Sequence, residues 1–266
     1  MYELVQEDYH LVKPLIAGGH LHPEVISIIE LNNPGWIFAD TFTNPKSALV
    51  WSKGMQGLYL IGDHTNESFI HNLDEFIKRE IEPRMKAISL NHFEVSGHHD
   101  QWSMESIFRS RQLFQFEQLV LRLISKPILK RITKIETINL KTQDWECSKY
   151  RNTAFIGSHI GTFWSTRDDF KRDGFGYAAI YDNEVIGVCY SSFVTADTHA
   201  IGIETASSFQ SKGVGIHLAS LLVEEIYRNG YTPYWDCSLD NEPSKKLAER
   251  LGFNLVHRYT CSGFEF

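Results

Sequence analysis

Ile201-Gly-Ile-Glu-Thr-Ala-Ser-Ser-Phe-Gln-Ser-Lys-Gly-Val-Gly-Ile-His-Leu-Ala-Ser-Leu-Leu222 reads as a strand that passes through a loop into an amphipathic helix. A helix start leaves backbone N–H groups without intrahelical partners and carries a partial positive charge, and Gly213 and Gly215 let a ligand come close to the backbone. A phosphate or pyrophosphate suits such a place. A bare Gly-x-Gly is served equally by a helix packed closely on a sheet, so spacing alone leaves both open. Two phosphate loops are excluded by residue type. In a P-loop the lysine follows its glycine, whereas Lys212 precedes Gly213, and a dinucleotide fingerprint needs glycine where this chain has Leu218. What remains is Gln210-Ser211-Lys212-Gly213-Val214-Gly215, of the form [Arg/Gln]-x-x-Gly-x-Gly.

Outward from this segment the second half alternates strands and helices. A strand over 135–140 is followed by helices to about Lys171. A hairpin of Gly176–Tyr181 and Glu184–Phe193 then turns at Asp182-Asn183, and a third strand covers His199 to Thr205. After the helix Gly213–Asn229 come a strand Pro233–Ser238, a helix Glu242–Leu251 and a terminal strand pair. This order predicts an α/β (α+β) domain around a mixed sheet. The first half carries turn signals at Gly18-Gly19 and Asn32-Asn33-Pro34-Gly35, and short strands at Trp36–Ala39 and Gly57–Ile61. Helical spacing of Leu73, Phe76, Ile77 and Ile81 predicts a helix over 72–86 that ends near Pro83. Leu113, Phe116, Leu119, Val120, Leu123 and Ile124 predict another over 113–124. With Lys126-Pro127 breaking that pattern, the expected domains are 1–132 and 133–266.

The 266 residues suffice for one large domain or two of about 130 each. A net charge of -7 argues against a nucleic-acid partner. Cys147, Cys189, Cys237 and Cys261 are far apart with no CxxC pair, so neither a zinc ribbon nor a disulfide framework is expected, and a reducing cytoplasm is the simplest setting. Met1 to His10 lack the apolar run of a signal peptide, and no stretch approaches the ~18 apolar residues of a membrane span, so no membrane association is expected.

The Gln210–Gly215 pattern, after a strand and opening a helix, resembles the acetyl-CoA pyrophosphate loop of the GNAT superfamily of N-acetyltransferases. Val185-Ile186-Gly187-Val188 resembles that fold's second and third strands, and Asn241 to Phe253 its second cofactor motif. Trp235-Asp236-Cys237, Asn241, Ser244 and Leu251-Gly252-Phe253 are similar to the branch that includes zwittermicin A resistance acetyltransferases. The resemblance implies a GNAT-like, mostly antiparallel mixed sheet flanked by helices over 133–266, and transfer of an acetyl group from acetyl-CoA to an amine without a metal. The first half resembles a degenerate second copy: Trp36–Ala39 and Gly57–Ile61 stand as the equivalent hairpin, with no counterpart of the glycine loop.

By the same resemblance, the backbone of Gln210, Ser211, Lys212, Gly213, Val214 and Gly215 meets the pyrophosphate, and that of Ile203 and Thr205 pairs with the pantetheine arm. Asn241 and Ser244 complete the cofactor motif. The chemistry needs a proton acceptor, for which Glu204 leads and Asp236 is the rival. Alternation leaves open that Glu204 points to solvent, and Asp236 could instead make a structural hydrogen bond. Where many relatives have the tyrosine that protonates the leaving thiolate, this chain has Ala248. Water, Ser244 or Cys237 is left for that role. The acceptor implied is the primary amine of a small polar molecule. A protein or peptide amine is the alternative, and a non-catalytic acyl-CoA sensor a third. Oligomeric state is not legible.

Other groups have blander readings. His20-Leu21-His22 and His98-His99-Asp100 could ligate a metal, but solvated loops explain them better. Cys237 on a strand reads as a small buried residue more than as a nucleophile. His217 reads as peripheral to the phosphate loop, and Trp164, Phe170, Phe175 and Tyr177 as core.

Overall fold

The computed structural model describes residues 1–130, 132 and 135–266. Thr133, the expected first residue of the second domain, lies outside them. Two compact units are present, Met1–Glu117 with Tyr259–Phe266, and Gln118–Arg258.

In the first unit β1 (Tyr2–Glu3) leads into a 3-10 stretch Gln6–Ile16 and α1 (Pro23–Ile29), then β2 (Gly35–Ala39), β3 (Ser47–Ser52) and β4 (Gly57–Gly62). A long helical segment follows, made of α2 (Glu67–Phe76), a π-helical turn Ile77–Ile81 and α3 (Glu82–Lys86). Then come β5 (His92–Gly97), α4 (Met104–Ile107) and β6 (Phe114–Leu123). The chain goes on through β7 (Glu136–Asn139), α5 (Ala154–Phe163), α6 (Arg167–Asp173), β8 (Gly176–Tyr181), β9 (Glu184–Val194) and β10 (Thr198–Thr205). It finishes with α7 (Val214–Arg228), β11 (Thr232–Ser238), α8 (Glu242–Arg250) and β12 (Phe253–Glu265).

Both units follow one plan. In the first, β1 to β5 lie in order, all neighbours antiparallel except β4 and β5, and Ser262–Glu265 of β12 pair antiparallel with β5. In the second, β7 to β11 lie in order, antiparallel except β10 and β11, and Gln118–Arg122 of β6 pair antiparallel with β11. Each unit is therefore closed by a strand from the other half of the sequence.

Helices cover both faces of each sheet. In the second unit Val214, Leu218, Leu222 and Ile226 of α7 recur at helical spacing and are buried with Trp235, Ala248 and Phe253. The opposite face buries Ile156, Ile160, Trp164 and Phe170 against Ala178, Val188 and Tyr190. In the first unit Leu73, Ile77 and Ile81 pack on Leu49, Leu60 and Phe93, while Val12, Val25 and Ile28 cover Ile37, Val50 and Ile61.

The hairpin expected at Asp182-Asn183 forms, with both residues at positive φ (48° and 57°) as a type I′ turn requires. Five expectations change. Residues 113–124 form β6, because hydrogen bonds to β11 and burial of Leu119 and Leu121 outweigh a helical spacing that isolated counting favours. Trp36–Ala39 does not pair with Gly57–Ile61; β3 lies between them. The helix passes Pro83 to Lys86, since Pro83 stands in the first turn of α3, where its missing N–H costs nothing. The terminal strand pair is one strand of 13 residues. The division near residue 132 gives way to boundaries at Glu117/Gln118 and Arg258/Tyr259, set by the strand pairings just described. Among the described residues no helix is long and apolar enough to cross a membrane.

Candidate active site

Parallel pairing of β10 with β11 covers only Thr198–Ala200 against Thr232–Tyr234. Beyond it, Ile201–Thr205 stays paired to β9 and Trp235–Ser238 to β6, so the two strands carry on with different partners. A register shift between His199 and Ile201 marks the point of departure. His199 anchors it from within: its Nδ1 is hydrogen-bonded to Ser191 Oγ (2.9 Å), which also accepts from the Phe175 N–H (3.1 Å). Burial pushes the His199 imidazole down to about 4, with Lys141 adding to the shift, so it is neutral near pH 7.

The glycine loop stands at the end of β10. Gln210 Nε2 donates to Thr205 O (3.3 Å) and ties the loop back to the strand. Ser211 and Gly213 both have left-handed backbone, φ 59° and 85°. The first helical bond of α7 runs from His217 N to Gly213 O, which leaves the N–H groups of Val214, Gly215 and Ile216 ahead of the helical ladder. A Cβ placed on Gly215 would occupy space bounded by Ile203, Thr205 and Leu247 at 3.6–3.7 Å. The missing side chain thus leaves a hollow between strand end and helix start, backed by the positive end of α7. Lys212 is exposed beside it with Nζ 5.0 Å from the Phe209 ring centroid. Gly187 lets α7 close onto β9, as its Cβ would lie 3.0 Å from Val214.

The two faces of the splitting strands differ in character. Ile201 and Ile203 pack with the α7 core, as do Trp235 and Cys237. Alternation turns Glu204 and Asp236 to the other face, the side of α5 and α6. Glu204 is exposed and opposite Val188 in register, and Asp236 is half-buried opposite Val120. Burial, followed by the charge of Glu204, raises the Tyr190 phenol above its ordinary value.

Asn241 and Ser244 have defined work at the start of α8. Asn241 Oδ1 accepts from Ser244 N (3.1 Å) as an N-cap, and Ser244 Oγ accepts from Trp235 Nε1 (3.0 Å). Ala248 is fully buried. The Cys237 thiol is buried and raised by that burial, which keeps it protonated near neutral pH. His217 is buried, and its Nδ1 accepts from the Ile132 N–H (3.0 Å). Ile132, like Lys130, whose N–H donates to Ser220 Oγ (2.9 Å), thus lies on α7, a role that no sequence signal announced.

The first unit lacks these features at the corresponding place. β4 and β5 remain paired through Leu60 and Gly97, extended by His98 N to Leu60 O (2.9 Å), and His99 Nε2 reaches Gly62 O (3.3 Å). Trp102 packs on Gly97 and stacks with His99. Before α2 the carboxylate of Asp63 accepts from Thr65 N and Oγ1, at 2.8 and 2.6 Å, and these bonds hold it below the usual carboxylate range. An anion at that helix start would meet Asp63 and Glu67. His22 and His98 are buried, at 2 % exposure each, not solvated as expected. Tertiary packing covers them, and His20 Nε2 pairs with Asp100 (3.0 Å), joining the two histidine motifs.

A sheet that splits beside a glycine-started helix, with carboxylates on the opposite face, defines an α/β unit able to seat an anionic co-substrate at the split. The chain belongs to the GNAT acetyltransferase family, whose model matches residues 13–262. Members of this family are acyl-CoA-dependent transferases that generally use acetyl-CoA as co-substrate. The chain is 27% identical over 263 residues to an uncharacterized N-acetyltransferase, YdfB, of Bacillus subtilis (strain 168), covering 98% of this chain and 97% of that protein. Its fold is similar to that of a GCN5-related N-acetyltransferase-like protein of Streptococcus suis 89/1591 (TM-score 0.67, 17% identity, 97% and 99% of the two chains). It is also similar to that of a tandem GNAT protein from the clavulanic acid biosynthesis pathway (TM-score 0.59, 10% identity, 99% and 97%). The latter supports the reading of the two units as paired GNAT-like halves.

Proposed function

We propose that the second unit transfers an acetyl group from acetyl-CoA to the primary amine of a small polar molecule. One observation carries this reading: Gln210–Gly215 forms an anion-ready loop at the end of β10, and Glu204 stands on the other face of the same strand. The backbone of Ser211 to Gly215 and the Lys212 charge would hold the pyrophosphate, Ile203 and Thr205 the pantetheine arm, and the start of α8 at Asn241 and Ser244 the adjoining wall. Bound acetyl-CoA supplies an activated thioester. Glu204 takes a proton from the acceptor ammonium, so that the nitrogen lone pair is free. As the C–N bond forms and the C–S bond breaks, the nitrogen gives up a second proton to solvent and the thiolate takes one from water, directly or relayed through Ser244, so that amide and thiol leave neutral. Asp236 would hold the acceptor's positive charge.

The segment Trp235-Asp236-Cys237 with Asn241, Ser244 and Leu251-Gly252-Phe253 supports the zwittermicin-resistance-like branch, hence an aminopolyol-like acceptor. A second reading, an acyl-CoA sensor, draws on Ala248, buried where relatives carry a tyrosine acid. A thermal-shift series with acetyl-CoA, CoA and longer acyl-CoAs tests binding. Absence of any shift overturns the main reading. Thiol release with a panel of amines then separates enzyme from sensor. Glu204→Gln is expected to slow turnover by roughly a hundredfold or more with acetyl-CoA affinity kept, and an unchanged rate removes Glu204 as base.

A further inference from the structure

The face of β9, β10 and β11 that carries Glu204 has a notch at Gly202. In register Gly202 is opposite Tyr190, and a Cβ on Gly202 would lie 2.8 Å from Tyr190 Cζ and 3.1 Å from its hydroxyl oxygen. The phenol end of Tyr190 therefore lies directly on the Gly202 backbone, in space that any other residue would fill. Only glycine permits this. Tyr190 is held there by the Phe163 ring at 5.7 Å, and Phe163 is braced by Phe193 at 5.2 Å. Tyr190 as a whole is 2 % exposed. Two residues further along β10 is Glu204. On β11 Asp236 stands two residues past Tyr234, the last residue paired with β10, as Gly202 stands two past Ala200. A hydroxyl and two carboxylates thus share one face where the strands part.

We infer that Tyr190 is a positioning residue for the acceptor, its hydroxyl oxygen receiving one N–H of the amine while Glu204 holds another, so that the site selects primary over N-methylated amines. The inference rests on the reading of the second unit as an N-acetyltransferase. A primary amine that has lost a proton to Glu204 keeps two N–H groups and one lone pair. Two acceptors, Glu204 and the Tyr190 oxygen, fix both N–H directions and so leave the lone pair only one direction. A methyl in place of one N–H would face an oxygen it cannot bond and would crowd the ring held against Gly202. Burial and the Glu204 charge keep the phenol protonated, so its oxygen stays a neutral acceptor and does not compete for the ammonium proton. Tyr190 exchanges no proton with the reacting atoms and acts through orientation.

The test measures thiol release for matched pairs of a primary amine and its N-methyl derivative with the intact protein and with Tyr190→Phe, which keeps the ring. Removing one hydrogen-bond acceptor is expected to lower kcat/KM for the primary amine roughly tenfold and to shrink the primary-to-N-methyl preference by a similar factor, with the acetyl-CoA thermal shift unchanged. Gly202→Ala, which displaces the ring, is expected to lower the same ratio. A ratio equal in the intact protein and Tyr190→Phe, within twofold, overturns the inference while leaving acetyl transfer standing. Failure of the intact protein to release thiol with every amine overturns the underlying reading and this one together. Should Tyr190→Phe lose the acetyl-CoA shift as well, the residue is structural and the inference fails.

Discussion

His199 gives the strongest quantitative test of how the split between β10 and β11 is maintained. The imidazole is 1 % exposed, bonded through Nδ1 to Ser191, and held at about 4 in the folded chain. In the unfolded chain it ionises near its ordinary 6.5. The folded value is depressed, so the associated stability is fully present above pH 6.5 and is lost as pH falls toward 4. With those two values the unfolded chain gains about 2 kcal/mol relative to the folded chain on going from pH 7.5 to pH 5, and about 3 kcal/mol by pH 4. His199→Asn keeps a hydrogen-bonding group for Ser191 and removes the titration. Urea unfolding followed by tryptophan fluorescence at pH 7.5 and pH 5 isolates the effect: every other group contributes equally to both proteins and cancels in the difference. The variant is expected to be less stable at pH 7.5 and to lose about 2 kcal/mol less on acidification than the unaltered chain. Equal losses in the two proteins would refute a neutral buried His199 and the bonding assigned to it.

Gly213→Ala is expected to weaken acetyl-CoA binding and to cost about 1–2 kcal/mol of stability. The cost comes from φ 85°, because the nearest atom to the new Cβ is the movable end of Ile132; an unchanged thermal shift and melting point would contradict it. Asn241→Ala removes the side-chain cap of α8 and should cost about 1 kcal/mol, read by the same urea titration. In the first unit Arg111 bonds both Asp74 and Glu82 at 2.7 Å, and Glu82 is buried. Arg111→Ala should therefore cost about 3 kcal/mol, with a lowered urea midpoint as the readout.

The glycine loop that opens α7, the Asp182-Asn183 hairpin, α7, α8 and the strand order from β7 to β11 were legible in the sequence because each depends on neighbours within a few residues. Turn residues at positive φ, a glycine at a left-handed helix start, and apolar side chains at helical spacing carry their own signatures. The family's co-substrate followed from the same local segment. Tertiary structure decided the rest. Whether Phe114–Leu123 became helix or strand was settled by β11, more than 100 residues away, and β3 was visible only once β2 and β4 were seen on either side of it. The exchange of closing strands between the two halves, and the burial of His22, His98 and His217, likewise depend on contacts between remote segments, which leave no periodicity to read. At the proposed site, sequence named Gly213, Gly215 and Glu204, but the close approach at Gly202 came from the phenol ring laid on its backbone. A missing side chain has meaning only when the neighbour that occupies its space is known, and packing alone supplies that neighbour.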